Sequence, residues 1–216
     1  MPSRRITMVS LPLGILSILA TAPVQPASAF TPPPSGYRFH QDKLDGYSFF
    51  YPESWNQVTT SGNDVFYRNP TNIEENLFVD VSSPSSSKFS SVRDLGTPEE
   101  AAKRIQSQYL EEFMSTRIGV KRTTDIVSAT SRTGADGQMY YDLTFRAKSY
   151  ASRNQLAVNY NDVQEAVEME WDRVYYSVLG VAGGRLYQLR LQCAASRQDA
   201  GKLDTIAQSF QCKEVL

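Results

Sequence analysis

Apolar and polar positions alternate with a period near two over much of the chain, and with a helical period over two stretches. This predicts a strand-rich domain with two helices. Tyr47-Ser-Phe-Phe-Tyr51 reads as a strand stopped by Pro52, after a turn at Asp45-Gly46. Val65-Phe-Tyr67 and Leu77-Phe-Val-Asp-Val81 continue the aromatic and β-branched theme, with Gly62-Asn63-Asp64 as a turn before the first of them. Residues 82–91 are rich in serine, carry Pro84 and predict an exposed loop. Residues 123–133 and 138–148 are strand-like and flank Gly134-Ala-Asp136-Gly137, a tight hairpin in which glycine supplies positive φ. Residues 171–179 and 185–192 form a second hairpin around Gly180-Val-Ala-Gly183-Gly184, with Tyr175, Leu186 and Leu189 available to the core. Between the hairpins, residues 151–170 fit three readings: an extra strand, a loop excursion, or a short acidic helix over 162–169.

The helical stretches carry their own punctuation. Thr97-Pro98-Glu99-Glu100 combines a cap, a proline suited to the first helical position and the glutamate of a capping box, so a helix is predicted over 98–114. Ala102, Ile105, Tyr109 and Phe113 give it one apolar stripe, while Glu99, Lys103, Gln106 and Glu111 face water. A second stripe, Ala200, Leu203, Ile206, Ala207 and Phe210, follows the polar Ser196-Arg-Gln-Asp199. Many turn-linked strands with only two helices predict an α+β domain, an antiparallel sheet with helices across it, rather than a Rossmann fold.

The N-terminal pattern reads as an address. Arg4 and Arg5 precede an apolar run over residues 6–20, and Ala27-Ser28-Ala29 supplies a small-residue cleavage site, so residues 1–29 are expected to be a cleaved signal. The run is interrupted by Pro12 and Gly14 and falls short of the about 20 apolar residues that span a bilayer. The adjacent arginines also fit the twin-arginine route, which carries folded proteins. Residues 30–36, with Pro32-Pro33-Pro34, form a short extended arm, and the domain proper is expected over 37–216.

Composition narrows the chemistry. The 216 residues carry 22 basic and 23 acidic side chains, so no excess of positive charge points to nucleic acid. Losing the two leader arginines leaves the exported domain mildly acidic. One histidine and two cysteines cannot build the usual zinc sites, and any serine-based triad would have to run through His40. No glycine-rich phosphate cradle precedes a helix. His40, Asp42 and Asp45 could approach one cation, but they lack the ligand series of an EF-hand or zinc motif and read better as surface residues at a turn. Glu165, Glu168 and Glu170 could attract a divalent ion or a basic partner, although such runs usually mark a solvated face. Trp55, Trp171 and the twelve tyrosines fit cross-strand packing. Cys193 and Cys212 could pair in an exported protein, yet a helix of about 14 residues between them, roughly 20 Å long, favours two separate thiols. No catalytic residue and no metal ligand is assigned. Two alternatives remain open: an exported small hydrolase using His40 with a serine of the 82–91 loop, and a metal-binding carrier using the acidic stretch.

Four segments in order carry a family resemblance: Asp45-Gly-Tyr-Ser-Phe-Phe-Tyr-Pro52 with Trp55-Asn, then Asp94-Leu-Gly-Thr-Pro-Glu-Glu100, then Gly137-Gln-Met-Tyr-Tyr141, and last Gly184-Arg-Leu-Tyr187. Over residues 37–210 the chain resembles the PsbP family of photosystem II extrinsic proteins and their thylakoid-lumen relatives. The resemblance implies an α-β-α sandwich with a central antiparallel sheet, and location in the thylakoid lumen of a chloroplast or cyanobacterium. It implies a non-catalytic, peripheral association with lumenal subunits of photosystem II near the oxygen-evolving complex, or with photosystem assembly intermediates. No cofactor is certain; calcium is possible by resemblance alone, through retention rather than tight ligation. The short arm at 30–36 and the additional sequence at 151–170 depart from the principal subunit and point to an auxiliary or assembly role. No chloroplast transit sequence precedes the lumenal signal, so the gene is expected to lie where none is needed or the N-terminus to be truncated.

Overall fold

A computed structural model of the chain describes residues 31–59, 64–83, 88–112, 120–152 and 167–215. The expected leader and the Gly62-Asn63 part of the first turn lie outside the described residues, as do most of 151–170 and the last predicted helical residues, Phe113 and Met114. No helix among the described residues is long and apolar enough to cross a membrane.

Among the described residues, ten strands and two α-helices follow in the order β1 Tyr37–Asp42, β2 Tyr47–Pro52, β3 Asn56–Gln57, β4 Val65–Arg68, β5 Asn76–Val81, α1 Pro98–Glu112, β6 Val120–Thr133, β7 Met139–Ser152, β8 Val167–Ala182, β9 Arg185–Ala194, α2 Ala200–Ser209 and β10 Gln211–Cys212. The α+β expectation holds, and among the described residues the strand pairings are antiparallel. The strands divide between two sheets, however: seven in the order β3-β4-β5-β9-β8-β7-β6, and three in the order β1-β2-β10. A single sheet was the expectation. The division arises because Tyr47 and Phe49 face one side of β2 and are buried there against the large sheet, whereas β2 finds its hydrogen-bond partners in β1 and β10.

The large sheet is covered on both faces. On one face α2 and the small sheet bury Tyr67, Leu77, Val79, Val178, Leu189, Ile206 and Phe210 in one cluster. On the other, α1 and a 3-10 turn at Val92–Leu95 bury Ala102, Ile105, Tyr109, Leu143, Phe145 and Leu179. The predicted stripe of α1 thus forms the second core. Its capping box is made, with Thr97 Oγ accepting from Glu100 N at 3.3 Å and Glu100 Oε2 accepting from Thr97 N at 2.9 Å. Gln106 departs from its solvent assignment and donates to the Thr124 carbonyl of β6. In α2 the Asp199 carboxylate caps Lys202 N at 3.0 Å, while Ala200 is exposed rather than part of the stripe.

Both hairpins form, with one correction. Gly137 has φ +78° in the β6–β7 turn, as expected. The β8–β9 turn is only Gly183-Gly184, at φ +55° and +77°, the two positive values of a two-residue hairpin, so Gly180, Val181 and Ala182 belong to the strand. Gly180 is needed there for space: a Cβ would lie 2.6 Å from the Tyr140 ring and 2.8 Å from Cys212 Sγ. The acidic-helix option for 162–169 is excluded over 167–169, which are strand paired with the end of β7. Extended backbone wins there because β7 runs on to Ser152 and offers an open ladder.

Candidate docking surface

The segments that carried the family resemblance, Trp55-Asn56 apart, converge at one end of the large sheet and stitch it together. The Asp42 carboxylate accepts from Leu44 N and Asp45 N, fixing the β1–β2 turn. Arg185 pairs with Asp45 at 2.7 Å and also donates to the Ser82 carbonyl. Tyr187 donates to the Asp45 carbonyl at 2.7 Å. Tyr140 donates to Asp136 and accepts from Cys212 N, while Gln138 donates to the Cys212 carbonyl. Tyr141 donates to the carbonyl of Gly96, in the second segment, at 2.7 Å. These contacts satisfy buried backbone groups at turns and at the two-residue β10, so the work of this end is structural.

The weighed metal and catalytic candidates are likewise engaged. His40 is hydrogen-bonded through Nδ1 to Tyr67 at 3.0 Å and stacks on Phe49 between the two sheets. Burial lowers its pKa, opposed by the Asp42 charge. Ser82 Oγ accepts from Leu186 N, and residues 84–87 of the serine-rich loop lie outside the described residues; no described serine hydrogen-bonds to His40. Asp42 and Asp45 serve the turn. Glu165 lies outside the described residues, while Glu168 and Glu170 are on β8, where Glu170 accepts from Ser149 at 3.0 Å. Trp55 is in the core. Cys193 and Cys212 are separate buried thiols, pushed up by burial to about 11 and about 12. The helix between them has only ten residues, so what holds the thiols apart is their strands: Cys193 pairs with Val174 in the large sheet and Cys212 with Tyr47 in the small one.

The opposite end of the same strands is open. Strands β7 and β8 run past the end of β9, whose Ala194 pairs with Arg173, and a bulge at Ser149/Tyr150 shifts their register, pairing Ser149 with Trp171 but Tyr150 with Met169. Beside the bulge lies a cleft of about 420 Å³, lined by Glu74, Arg146, Met169, Trp171, Asp172 and Ser196 among others. Trp171, half-buried against the core on the α1 side, is flanked by two guanidiniums, Arg173 at 4.5 Å and Arg122 at 5.7 Å from its ring centroid. Arg173 in turn pairs with Glu74 at 3.3 Å. Arg146 binds both oxygens of Asp172 as a fork, which holds that carboxyl below its usual range. Met169 is 56 % and Val167 42 % exposed at the rim.

This arrangement is suited to holding a protein surface. Tryptophan, arginine and methionine are the side chains that dominate protein contacts, and the arginines here are pre-set by ion pairs. The cleft lining contains neither histidine nor cysteine. Among the described residues, no three His, Cys, Asp or Glu side chains converge to hold a metal ion, so no described cluster fits a resident calcium. Sequence reasoning assigned Trp171 to packing and passed over Arg146, Met169 and Arg173; the run Glu168-Met-Glu-Trp-Asp-Arg173, charged on alternate positions around apolar ones, was the available signal.

Comparison with known proteins places residues 35–212 on a family model described as PsbP. The chain is 48% identical over 186 residues to PsbP domain-containing protein 1, chloroplastic, of Arabidopsis thaliana, covering 85% of this chain and 63% of that protein. It thus spans less than two thirds of that relative's length. It is 29% identical to CyanoP of Synechocystis over 79% of this chain and 80% of that protein. The solution structure of CyanoP superposes with a TM-score of 0.58 at 25% identity, covering 88% of this chain and 99% of that one.

Proposed function

The chain belongs to the PsbP family, and from that premise we propose that it is a non-catalytic protein of the thylakoid lumen that docks reversibly on photosystem complexes. Its partners are lumenal subunits of photosystem II or a photosystem assembly intermediate, and its role is auxiliary: it covers or stabilises a lumenal surface. The observation that carries this reading is the family match across nearly the whole described domain, 35–212, which leaves no further described domain to house a separate activity. The Trp171 cleft supports it as the docking face. Any aid to calcium retention comes from closing an exit path. Cleavage after Ala29 delivers the domain to the lumen.

Native-gel separation of thylakoid complexes, followed by mass spectrometry, tests the proposal. The protein is expected to co-migrate with photosystem particles and to be released by salt, because a mixed-charge interface is screened. Recovery solely as a free monomer at low salt, with photosystem particles intact, would overturn it.

A further inference from the structure

His40 is the one histidine of the chain, and it sits at the seam where the three-stranded sheet meets the seven-stranded one. Its Nδ1 is tied across the seam to Tyr67 of β4, and its ring stacks on Phe49 at 4.8 Å and Tyr47 at 5.8 Å, both on β2. Its Nε2 is buried with no hydrogen-bond partner, as is the Tyr47 hydroxyl beside it. Neutral imidazole tolerates this environment. Imidazolium would carry a donor on both nitrogens, and the buried Nε2–H would lack a protein acceptor.

We propose that His40 makes the seam between the two sheets acid-labile, so that protonation of its ring loosens β1, β2 and β10 from the large sheet. The groups around it from each packed element are Asp42 on β1, Tyr47 and Tyr51 on β2, Tyr67 on β4 with Asp64 just before it, and Cys212 on β10, which pairs with Tyr47. Asp42 alone contributes a charge that favours imidazolium, and burial outweighs it. Burial raises the pKa of the tyrosines and of Cys212, so these groups stay neutral through the acid range.

The sign follows from linkage. A base whose folded pKa lies below its unfolded value of 6.5 takes its proton first in the unfolded chain. Its contribution is therefore complete above pH 6.5 and declines as pH falls toward the folded pKa. Asp64 and Asp142 act oppositely: burial raises both, so the folded state takes their protons first and gains as pH falls. Glu75, Asp94 and Asp172, whose carboxyls are held low, lose their contribution only as pH falls through the carboxylate range, so replacing His40 should remove the loss of stability that sets in just below pH 6.5.

Hydrogen exchange of the purified chain, corrected for the intrinsic pH dependence, tests the proposal between pH 7.5 and 5.5. Amides of β2 and β10 are expected to lose protection by about threefold or more on acidification while those at the centre of β7 and β8 hold theirs. In His40→Gln, which can still bond Tyr67, the loss should vanish. An equal loss in His40→Gln, or none in the native chain, overturns the proposal. A ring titration by NMR needs no substitution: a midpoint at or above 6.5 for His40 in the native chain overturns it as well.

Discussion

The two ends of the seven-stranded sheet are built on different principles, although the same strands run into both, and the ends of β7 lie roughly 40 Å apart at ~3.3 Å per residue. At the turn end, tyrosine hydroxyls and an arginine reach backbone groups across the turns, and Tyr47, Tyr140, Tyr187 and Cys212 are buried, while Leu44 at the β1–β2 turn is exposed. At the open end, charged side chains pair with one another around Trp171, and Met169 and Val167 face water. The segments by which the family is recognised lie at the turn end, apart from Trp55-Asn56, which packs beside Glu75 and Cys193. They identify the fold because they make the fold, and they carry little information about what the protein touches. The differences that matter for docking are to be sought at the open end.

Substitutions sharpen this contrast. Tyr187→Ala should have the largest effect on stability, about 3–5 kcal/mol, since it removes a fully buried ring and the bond to Asp45; denaturant unfolding measures it. Tyr140→Phe keeps the ring but leaves Cys212 N without its acceptor, and should cost about 1–3 kcal/mol by the same measurement. Met169→Asp should change stability by about 0.5 kcal/mol or less, as expected for an exposed position, yet weaken rebinding to salt-washed photosystem membranes by about tenfold or more. If the two tyrosine variants, under conditions where they remain folded, lost rebinding while Met169→Asp kept it, the assignment of roles to the two ends would be reversed.

Local chemistry was legible in the sequence. Thr97 and Glu100 announced α1 because the capping box is satisfied within four residues, and Gly137 marked its turn because positive φ is a local demand. What the sequence hid was non-local. Nothing in Tyr47-Ser-Phe-Phe-Tyr51 says that β2 pairs with the two-residue β10 near the other terminus instead of joining the main sheet. Gly180 looked like a loop residue, since its reason for being glycine is the Tyr140 ring and Cys212 sulfur packed against it from distant parts of the chain. Trp171 packs against the core on the α1 side, as an aromatic residue in a strand ordinarily does; what stayed hidden is that β7 and β8 overhang the end of β9, which leaves it half-buried at a rim. His40 was rightly noticed as solitary, but its place at the seam required Tyr67, twenty-seven residues away.

The small sheet has a kinetic corollary. Strand β2 takes one neighbour from the first strand of the domain and the other from its last, so one edge of β2 stays unclosed until residues 211–212 are available. Contacts between such distant positions form slowly, because the loop entropy comes due before the pairing rewards it. A nascent polypeptide emerging from the ribosome must therefore keep Tyr47 and Phe49 from sticking elsewhere until residues 211–212 have been made, which makes this seam a step at which chaperone protection would matter.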